Sequence, residues 1–375
     1  MGLEKLGRFC RIFVLLALLA ACGTNAPAVR RIDPAVVQPA SSARVAFEAG
    51  RMDEAVRLYR RALQRARFIG DGLSIARSAH NLAACLLVLG HPDQAHPFLY
   101  ESLLEYRRLN LPVVETQILE VKALRLEGKI SEAERLARQV LATVGADHPE
   151  YKAQLHIIEV HLACDRNDAH AARSCLDEAK PWLGAVGDSA IQAAAAGAGG
   201  RAFLLEGRYA SAAAAFDREA AFWRETGQYR SMALALQNAA AAYKNAGWPL
   251  RAADRFYCAA RSLDAQGDSS SALRNIEEAL DMVQSAQGSG AAGNSGMPGA
   301  PGVSDAYVSS APSVSTEIAV PFASSGALIP ADRIDPVNVG DLAAQIALLL
   351  GEIKEKVARQ TKPVAPGAKH EEQQR

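Results

Sequence analysis

Between residues 40 and 285 the apolar positions follow a helical spacing, and a turn interrupts them at regular intervals. Six copies of one turn motif mark these interruptions, and each copy begins with Gly or Asn and has Ala five residues later. The first residues are Gly50, Gly90, Gly128, Asn167, Gly207 and Gly247, and the alanines are Ala55, Ala95, Ala133, Ala172, Ala212 and Ala252. The spacing of 38 to 40 residues predicts one repeated structural unit.

The chemistry of the turn predicts a helical hairpin. Gly, and Asn as second choice, adopts the left-handed conformation that ends a helix. Pro92 and Pro249 follow the turn at a position where a helix start tolerates a missing N–H. The small Ala then allows the second helix to lie close to the first. Because one hairpin cannot bury its apolar face alone, the hairpins are expected to stack into an all-α solenoid with a continuous core.

Further positions resemble the tetratricopeptide repeat family. The small residue of the first helix matches Ala43, Ala83, Gly200 and Ala240, and the aromatic residue that follows it matches Phe203 and Tyr243. Repeats three and four depart from the pattern, with Val121 and Val160. The period exceeds the family's usual length of about 34 residues, which indicates a longer-period subclass. The resemblance implies a right-handed α-solenoid of about six repeats over residues 40–285, with an amphipathic helix at residues 273–283 as its cap.

The resemblance also implies a binding groove on the concave side, lined by the first helices of the repeats. Its candidate residues are Arg77, His80, Asn81, Lys122, Arg125, Gln154, His161, Arg201, Gln237, Asn238 and Lys244. Asn81 and Asn238 occupy the position at which longer-repeat relatives hold a peptide backbone, and an amide can donate and accept at once. The cations suit acidic groups of a partner. Ala194, Gly197 and Ala241 leave the groove floor shallow in side chains in repeats five and six, which would either admit a bulky partner residue or allow close helix packing.

The first residues have the composition of a secretory signal. Lys5, Arg8 and Arg11 precede an apolar stretch over residues 12–21, which is too short for the roughly 20 residues that span a bilayer. The segment 19–23, Leu-Ala-Ala-Cys-Gly, resembles the lipobox of bacterial lipoproteins. That family predicts a signal peptide over 1–21, acyl chains on Cys22 and a tether over 22–39. A plain secretory signal and a retained anchor are the alternatives.

The chain changes character after the repeats. Residues 286–339 are rich in Gly, Ser, Ala and Pro, which predicts a disordered linker. An isolated amphipathic helix is predicted over 340–360, followed by a disordered tail over 361–375. Its apolar stripe is Leu342, Ile346, Leu349, Ile353 and Val357. This helix has three possible partners: its own solenoid, a second copy of the chain, or a different protein.

Charge and reactive residues narrow the function. Forty-one basic and 41 acidic residues balance, so no positive excess indicates a nucleic-acid partner. Cys164 and Cys175 flank one predicted turn, and export would permit a disulfide between them, but buried free cysteine is equally compatible with the pattern. His156 and His161 lie five residues apart, which is not the spacing of a zinc helix. We expect no enzyme activity, no cofactor and no metal.

These features together predict a membrane-anchored scaffold of the bacterial cell envelope. It would face the periplasm. The outer membrane is favoured because Gly23 follows Cys22, where an Asp marks inner-membrane retention in lipoproteins of some enteric bacteria. Its partner would be an envelope protein or a peptide segment bound in the groove. The alternative is a peptide-sensing regulatory lipoprotein whose C-terminal helix reports groove occupancy.

Overall fold

The computed structural model describes residues 33–290 and 339–361. These residues form fourteen α-helices and no strand, so the expected all-α class is confirmed. The helices are α1 Pro34–Glu48, α2 Met52–Ile69, α3 Gly72–Val88, α4 Pro92–Arg108, α5 Val114–Leu126, α6 Ile130–Thr143, α7 Pro149–Asp165, α8 Ala169–Leu183, α9 Ser189–Leu205, α10 Tyr209–Glu225, α11 Tyr229–Asn245, α12 Pro249–Ala265, α13 Ser269–Gly290 and α14 Val339–Thr361.

Two boundaries differ from the expectation. Helix α1 begins at Pro34, so the part of the tether expected over residues 34–39 is helical. The side chain of Asp33 accepts a hydrogen bond from the Ala35 amide, and Pro34 occupies a first-turn position that needs no N–H donor. Helix α13 continues to Gly290, five residues into the predicted linker. The signal peptide, Cys22, residues 23–32, 291–338 and 362–375 lie outside the described residues.

Turns in the left-handed conformation separate the helices. Gly50 has φ 74°, Gly207 has φ 70°, and Asn167 has φ 59°. Gly70 and Gly227, which lie in connections between repeats, have the same left-handed conformation. In the last repeats each helix has 17 residues and each turn has three, which explains the 40-residue period.

The repeated alanines lie where the two helices of a hairpin approach most closely. Ala55, Ala95, Ala133, Ala172, Ala212 and Ala252 are all fully buried. In the fifth hairpin the approach is closer still, because a Cβ atom on Gly200 would lie 2.6 Å from the ring of Phe216. Small residues at these positions therefore set the distance between the helices, and the buried side chains of successive hairpins form the core.

The C-terminal helix α14 docks on its own solenoid. Leu342, Ile346 and Ile353 of its predicted apolar stripe are buried against α12 and α13, in one cluster with Ile276 and Val283. Helix α13 packs on α12 of the last predicted repeat, as expected of a cap, and α14 in turn covers α13. Among the helices of the described segments, none combines the length and apolarity that crossing a bilayer requires.

Candidate functional site

The first helices of successive hairpins form one continuous surface, which we call the groove. Side chains about one repeat apart in sequence contact each other across it. His80 Nδ1 on α3 lies 3.0 Å from Thr116 Oγ1 on α5. Arg125 on α5 reaches Asp165 on α7, and Lys244 on α11 reaches Glu278 on α13. Three of the sequence-predicted residues, His80, Arg125 and Lys244, thus contact the first helix of the next hairpin.

The centre of the groove holds a network across three hairpins. Arg125 Nε donates to Asp165 Oδ2 at 2.6 Å, and Arg201 Nη2 on α9 donates to Asp165 Oδ1 at 2.8 Å. Arg201 Nη1 also lies 2.9 Å from His161 Nδ1. Asp165 was not among the predicted groove residues, although its position one turn after His161 on the same helix face indicates it. One carboxylate thus fixes two guanidinium groups from neighbouring repeats.

Protonation states in this network follow from burial and from the cations. Burial, then the charges of Arg125 and Arg201, lower the pKa of His161 to about 3, so its imidazole is neutral at physiological pH. Burial opposes ionisation of Asp165, but hydrogen bonds from the two arginines outweigh it and hold its pKa below the ordinary value. Asp165 therefore stays charged, and the Nδ1 of His161 accepts from Arg201.

Lys122 lies beside this network on α5, one turn before Arg125. Burial lowers the pKa of its ammonium, and its charge lowers the pKa of both His80 and His161. Within the described segments Lys122 has no hydrogen-bond or ion-pair partner. We call Lys122, Arg125, His161, Asp165 and Arg201 the cationic cluster. Three cations face one carboxylate there, which leaves an excess of positive charge for an anionic ligand.

The other predicted groove residues lie apart from this cluster. Asn81 on α3 and Asn238 on α11 have three first helices between them, so they would contact different parts of a ligand. Asn238 is exposed, and Asn81 is half-buried. Lys244 is engaged by Glu278 at 3.2 Å. The remaining predicted residues away from the cluster are Arg77, which is exposed, and Gln154 and Gln237, which are half-buried.

The groove floor at Gly197 is filled rather than shallow. A Cβ atom placed on Gly197 would lie 2.7 Å from the carboxylate carbon of Glu219, which reaches in from α10. Trp223 Nε1 donates to Glu219 at 3.2 Å. Burial raises the pKa of Glu219 to about 7 despite that hydrogen bond. A side chain of the second helix thus occupies the space that the missing Cβ leaves, which favours close helix packing over a pocket as the reason for glycine at this position.

His156 and His161 do not share a site. They are five residues apart on α7, an offset that places two side chains on nearly opposite sides of a helix of 3.6 residues per turn. His161 faces the groove, and His156 hydrogen-bonds Glu159 at 3.0 Å. In the described part of the chain Cys85, Cys164, Cys175 and Cys258 carry free thiols.

The fold defines a helical-hairpin repeat protein, and its groove carries the cationic cluster at its centre. Residues 40–103, which span the first two hairpins, match the model of the tetratricopeptide repeat family. This match supports the resemblance found in the sequence and assigns tetratricopeptide repeats to that segment. No curated protein matches the chain in sequence.

Three solved structures are similar to this chain. One is a Signal Transduction ATPase with Numerous Domains protein with a tetratricopeptide repeat sensor from Pyrococcus horikoshii, at 14% identity and TM-score 0.44, covering 68% of this chain and 42% of that one. A tetratricopeptide repeat protein from Parabacteroides merdae has 12% identity and TM-score 0.35, covering 66% and 93%. BtubC from P. vanneervenii has 12% identity and TM-score 0.32, covering 72% and 98%. The chain thus spans less than half of the Pyrococcus protein.

Proposed function

We propose that this protein is an interaction scaffold that holds an extended, acidic segment of a partner protein in its groove. The observation that carries the proposal is the cationic cluster, in which Lys122 is unengaged beside two arginines that share a single carboxylate. A partner carboxylate would supply the missing counter-charge. The cluster spans three hairpins, so its width suits a chain segment rather than a small ion.

The geometry favours a carboxylate as the bound group. Asp165 holds Arg125 and Arg201 in fixed orientations, so little side-chain entropy remains to be lost on binding. A guanidinium group presents further N–H donors beyond those that Asp165 uses, and planar forks suit carboxylate oxygens. Lys122 is partly buried, so water competes less for its ammonium group. A charge-assisted hydrogen bond from Lys122 to an incoming anion is therefore stronger than one from an exposed lysine.

The scaffold is further proposed to be a lipid-anchored member of the longer-period tetratricopeptide proteins in the bacterial envelope. Support comes from the sequence: the basic residues Lys5, Arg8 and Arg11, the short apolar stretch, and the lipobox-like segment ending in Cys22-Gly23. Two or more acyl chains would anchor the protein stably. The proposed place is the periplasmic face of the outer membrane. Metabolic labelling with a palmitate analogue tests this, and label that persists in Cys22→Ser would contradict it.

A regulatory sensor is the second candidate, and one chain of contacts favours it. Lys244 in the groove bonds Glu278 on α13, and the neighbouring Glu277 lies 3.9 Å from Lys354 on α14. A ligand that displaced Glu278 from Lys244 would disturb the side of α13 that holds α14. In a sensor, groove ligands should increase amide hydrogen exchange in residues 339–361. In a scaffold, exchange there should not change.

Site-specific photocrosslinking in intact cells tests the scaffold. A photoreactive residue at Gln154 or Asn238 lies in the groove, and one at the exposed Tyr100 on the second helix α4 is the control. We expect one envelope protein to crosslink from the groove positions and not from Tyr100. Equal crosslinking from all three positions would contradict a groove-bound partner.

A matched pair of variants tests the ligand chemistry in the purified protein. Binding of a fluorescent hexaglutamate peptide is measured for the double variant Lys122→Gln/Arg201→Gln. The control is the double variant Arg60→Gln/Arg224→Gln, which removes the same charge from exposed positions on second helices. We expect the first pair to raise Kd about tenfold or more, and the control pair to have little effect. Equal losses would show that only net charge matters and would reject the cluster.

A further inference from the structure

A second group of chemically reactive residues lies on the fourth hairpin, outside the groove. His156 and Glu159 are one turn apart on α7, and Glu178 lies opposite them on α8. His156 and Glu159 each lie two positions from one of the groove residues Gln154 and His161 and five positions from the other. These offsets place both side chains on the side of α7 that faces away from the groove. This group is therefore independent of the cationic cluster.

The three side chains are spaced like the ligands of a metal ion. His156 Nδ1 lies 3.0 Å from Glu159 Oε2 and 3.9 Å from Glu178 Oε2, and all three ligand atoms lie within 4.8 Å of one another. Bonds of 2.0–2.2 Å in a tetrahedral zinc site separate neighbouring ligand atoms by about 3.3 Å. Small side-chain rotations would bring the three atoms to that separation.

The two side chains on α7 are mostly buried, whereas the one on α8 is exposed. The His156 side chain is 9% exposed and that of Glu159 is 16% exposed, whereas that of Glu178 is 58% exposed. Glu159 and Glu178 line a cleft of about 290 Å³ between α6, α7 and α8. A cation could thus enter from the solvent side and meet two ligands that packing already holds in place.

The charges in the cleft favour a cation. Arg138 and Arg166 also line it, but both pair with Glu134. Glu159 bonds only His156 within the described segments, and Glu178 faces His156 and Ser174. Two carboxylates therefore remain without a cationic partner other than a histidine.

The half-buried Cys175 also lines the cleft, but its thiol is not one of the three ligand atoms that lie within 4.8 Å of one another. The protein thus offers three donors, one imidazole and two carboxylates. A water molecule from the open side would complete the four-coordinate geometry that zinc prefers.

We propose that His156, Glu159 and Glu178 bind a divalent transition metal of the zinc type, with water as the fourth ligand. A set of one imidazole and two carboxylates suits Zn²⁺ or Co²⁺, whereas Mg²⁺ and Ca²⁺ prefer oxygen ligands alone. The metal would join α7 to α8 and brace the fourth hairpin, whose Val160 departs from the family pattern.

Metal titration of the full, tag-free chain tests this proposal. Zn²⁺ is titrated calorimetrically, and Co²⁺ is followed by absorption. We expect one Zn²⁺ equivalent, Co²⁺ absorption bands that saturate at one equivalent, and a rise in Tm with Zn²⁺. Binding of Ca²⁺ or Mg²⁺ as tight as that of Zn²⁺ would overturn the transition-metal assignment.

Matched variants locate the site. Glu178→Gln changes an exposed residue and should fold normally, and Asp177→Asn is its neighbouring control. His156→Gln is paired with His148→Gln, an exposed histidine that also lies near two carboxylates. We expect Glu178→Gln and His156→Gln to weaken Zn²⁺ binding at least about tenfold. Unchanged binding in Glu178→Gln, or no stoichiometric binding by the wild type, would refute the proposal.

Discussion

Lys356 on α14 donates to Asp264 on α12 at 2.6 Å, across 92 residues of chain. The side chain of Asp264 is only 11% exposed, so Lys356 provides a counter-charge for a carboxylate that the sixth hairpin has nearly buried. Together with the buried Ile346 and Ile353, this contact places α14 where a second helix would complete a seventh hairpin with α13. The solenoid is thus closed by a helix from far along the sequence.

The docking of α14 can be tested with two residues of that helix. Ile346 is fully buried, and Leu348 is 69% exposed. We expect Ile346→Ala to weaken docking by about 2–4 kcal/mol, because it leaves a cavity at the contact, and Leu348→Ala to have almost no effect. Amide hydrogen exchange over residues 339–361 measures the difference. Similar exchange in both variants would contradict the observed docking.

Glu219 should make stability depend on pH. Its pKa is about 7 in the folded chain against an ordinary value of 4.5. Between pH 4.5 and pH 7, the folded state therefore keeps a proton that the unfolded state has already released. Stability should therefore fall as pH rises from about 4.5 to 7. We expect Glu219→Gln to remove this loss and to gain up to about 3 kcal/mol above pH 7.

Urea unfolding at several pH values measures that effect. Glu225→Gln, an exposed residue on the same helix, is the control and should leave the pH dependence unchanged. A pH dependence that persists in Glu219→Gln would show that the fall arises elsewhere.

The turn of the fourth hairpin offers a test of backbone conformation alone. Asn167 has φ 59°, where five other hairpins have Gly. We expect Asn167→Gly to raise the free energy of unfolding by about 0.5–1 kcal/mol, and Gly207→Ala to lower it by about 1–2 kcal/mol. No atom lies within 4 Å of a Cβ on Gly207, so steric contact cannot cause that loss. Thermal or urea unfolding measures both, and a stabilising Gly207→Ala would contradict the explanation.

Arg255 should be essential to the sixth hairpin. Its side chain is 3% exposed and donates to Asp217 at 2.7 Å and to Asp254, while the Tyr243 hydroxyl donates to Asp217 at 2.8 Å. We expect Arg255→Met to cost about 3–5 kcal/mol, because it leaves two poorly solvated carboxylates without their cation. Arg261→Met, at an exposed position of the same helix, should cost little. Chemical denaturation compares the two, and equal losses would contradict this reading.

Three residues of the cationic cluster that contact one another through Asp165 and His161 could be predicted from the sequence, because equivalent positions of a repeat lie on the same side of a solenoid. Arg125, His161 and Arg201 were identified in this way. Asp165 was missed because it lies outside the family's binding positions. The sequence left a pocket and close packing at Gly197 equally open, because Glu219 comes from the other helix of the hairpin. Contacts between side chains on different helices do not follow from the register of either helix alone.

The sequence by itself determined the helical hairpins, their spacing and the buried alanines, since left-handed turns and helix contacts are local properties that recur with the motif. Only the tertiary structure decided that α14 returns to α13, that Asp165 joins two arginines, and that Glu178 meets His156. Each of these depends on side chains brought together by stacking, and a linear pattern does not encode the distances between stacked elements.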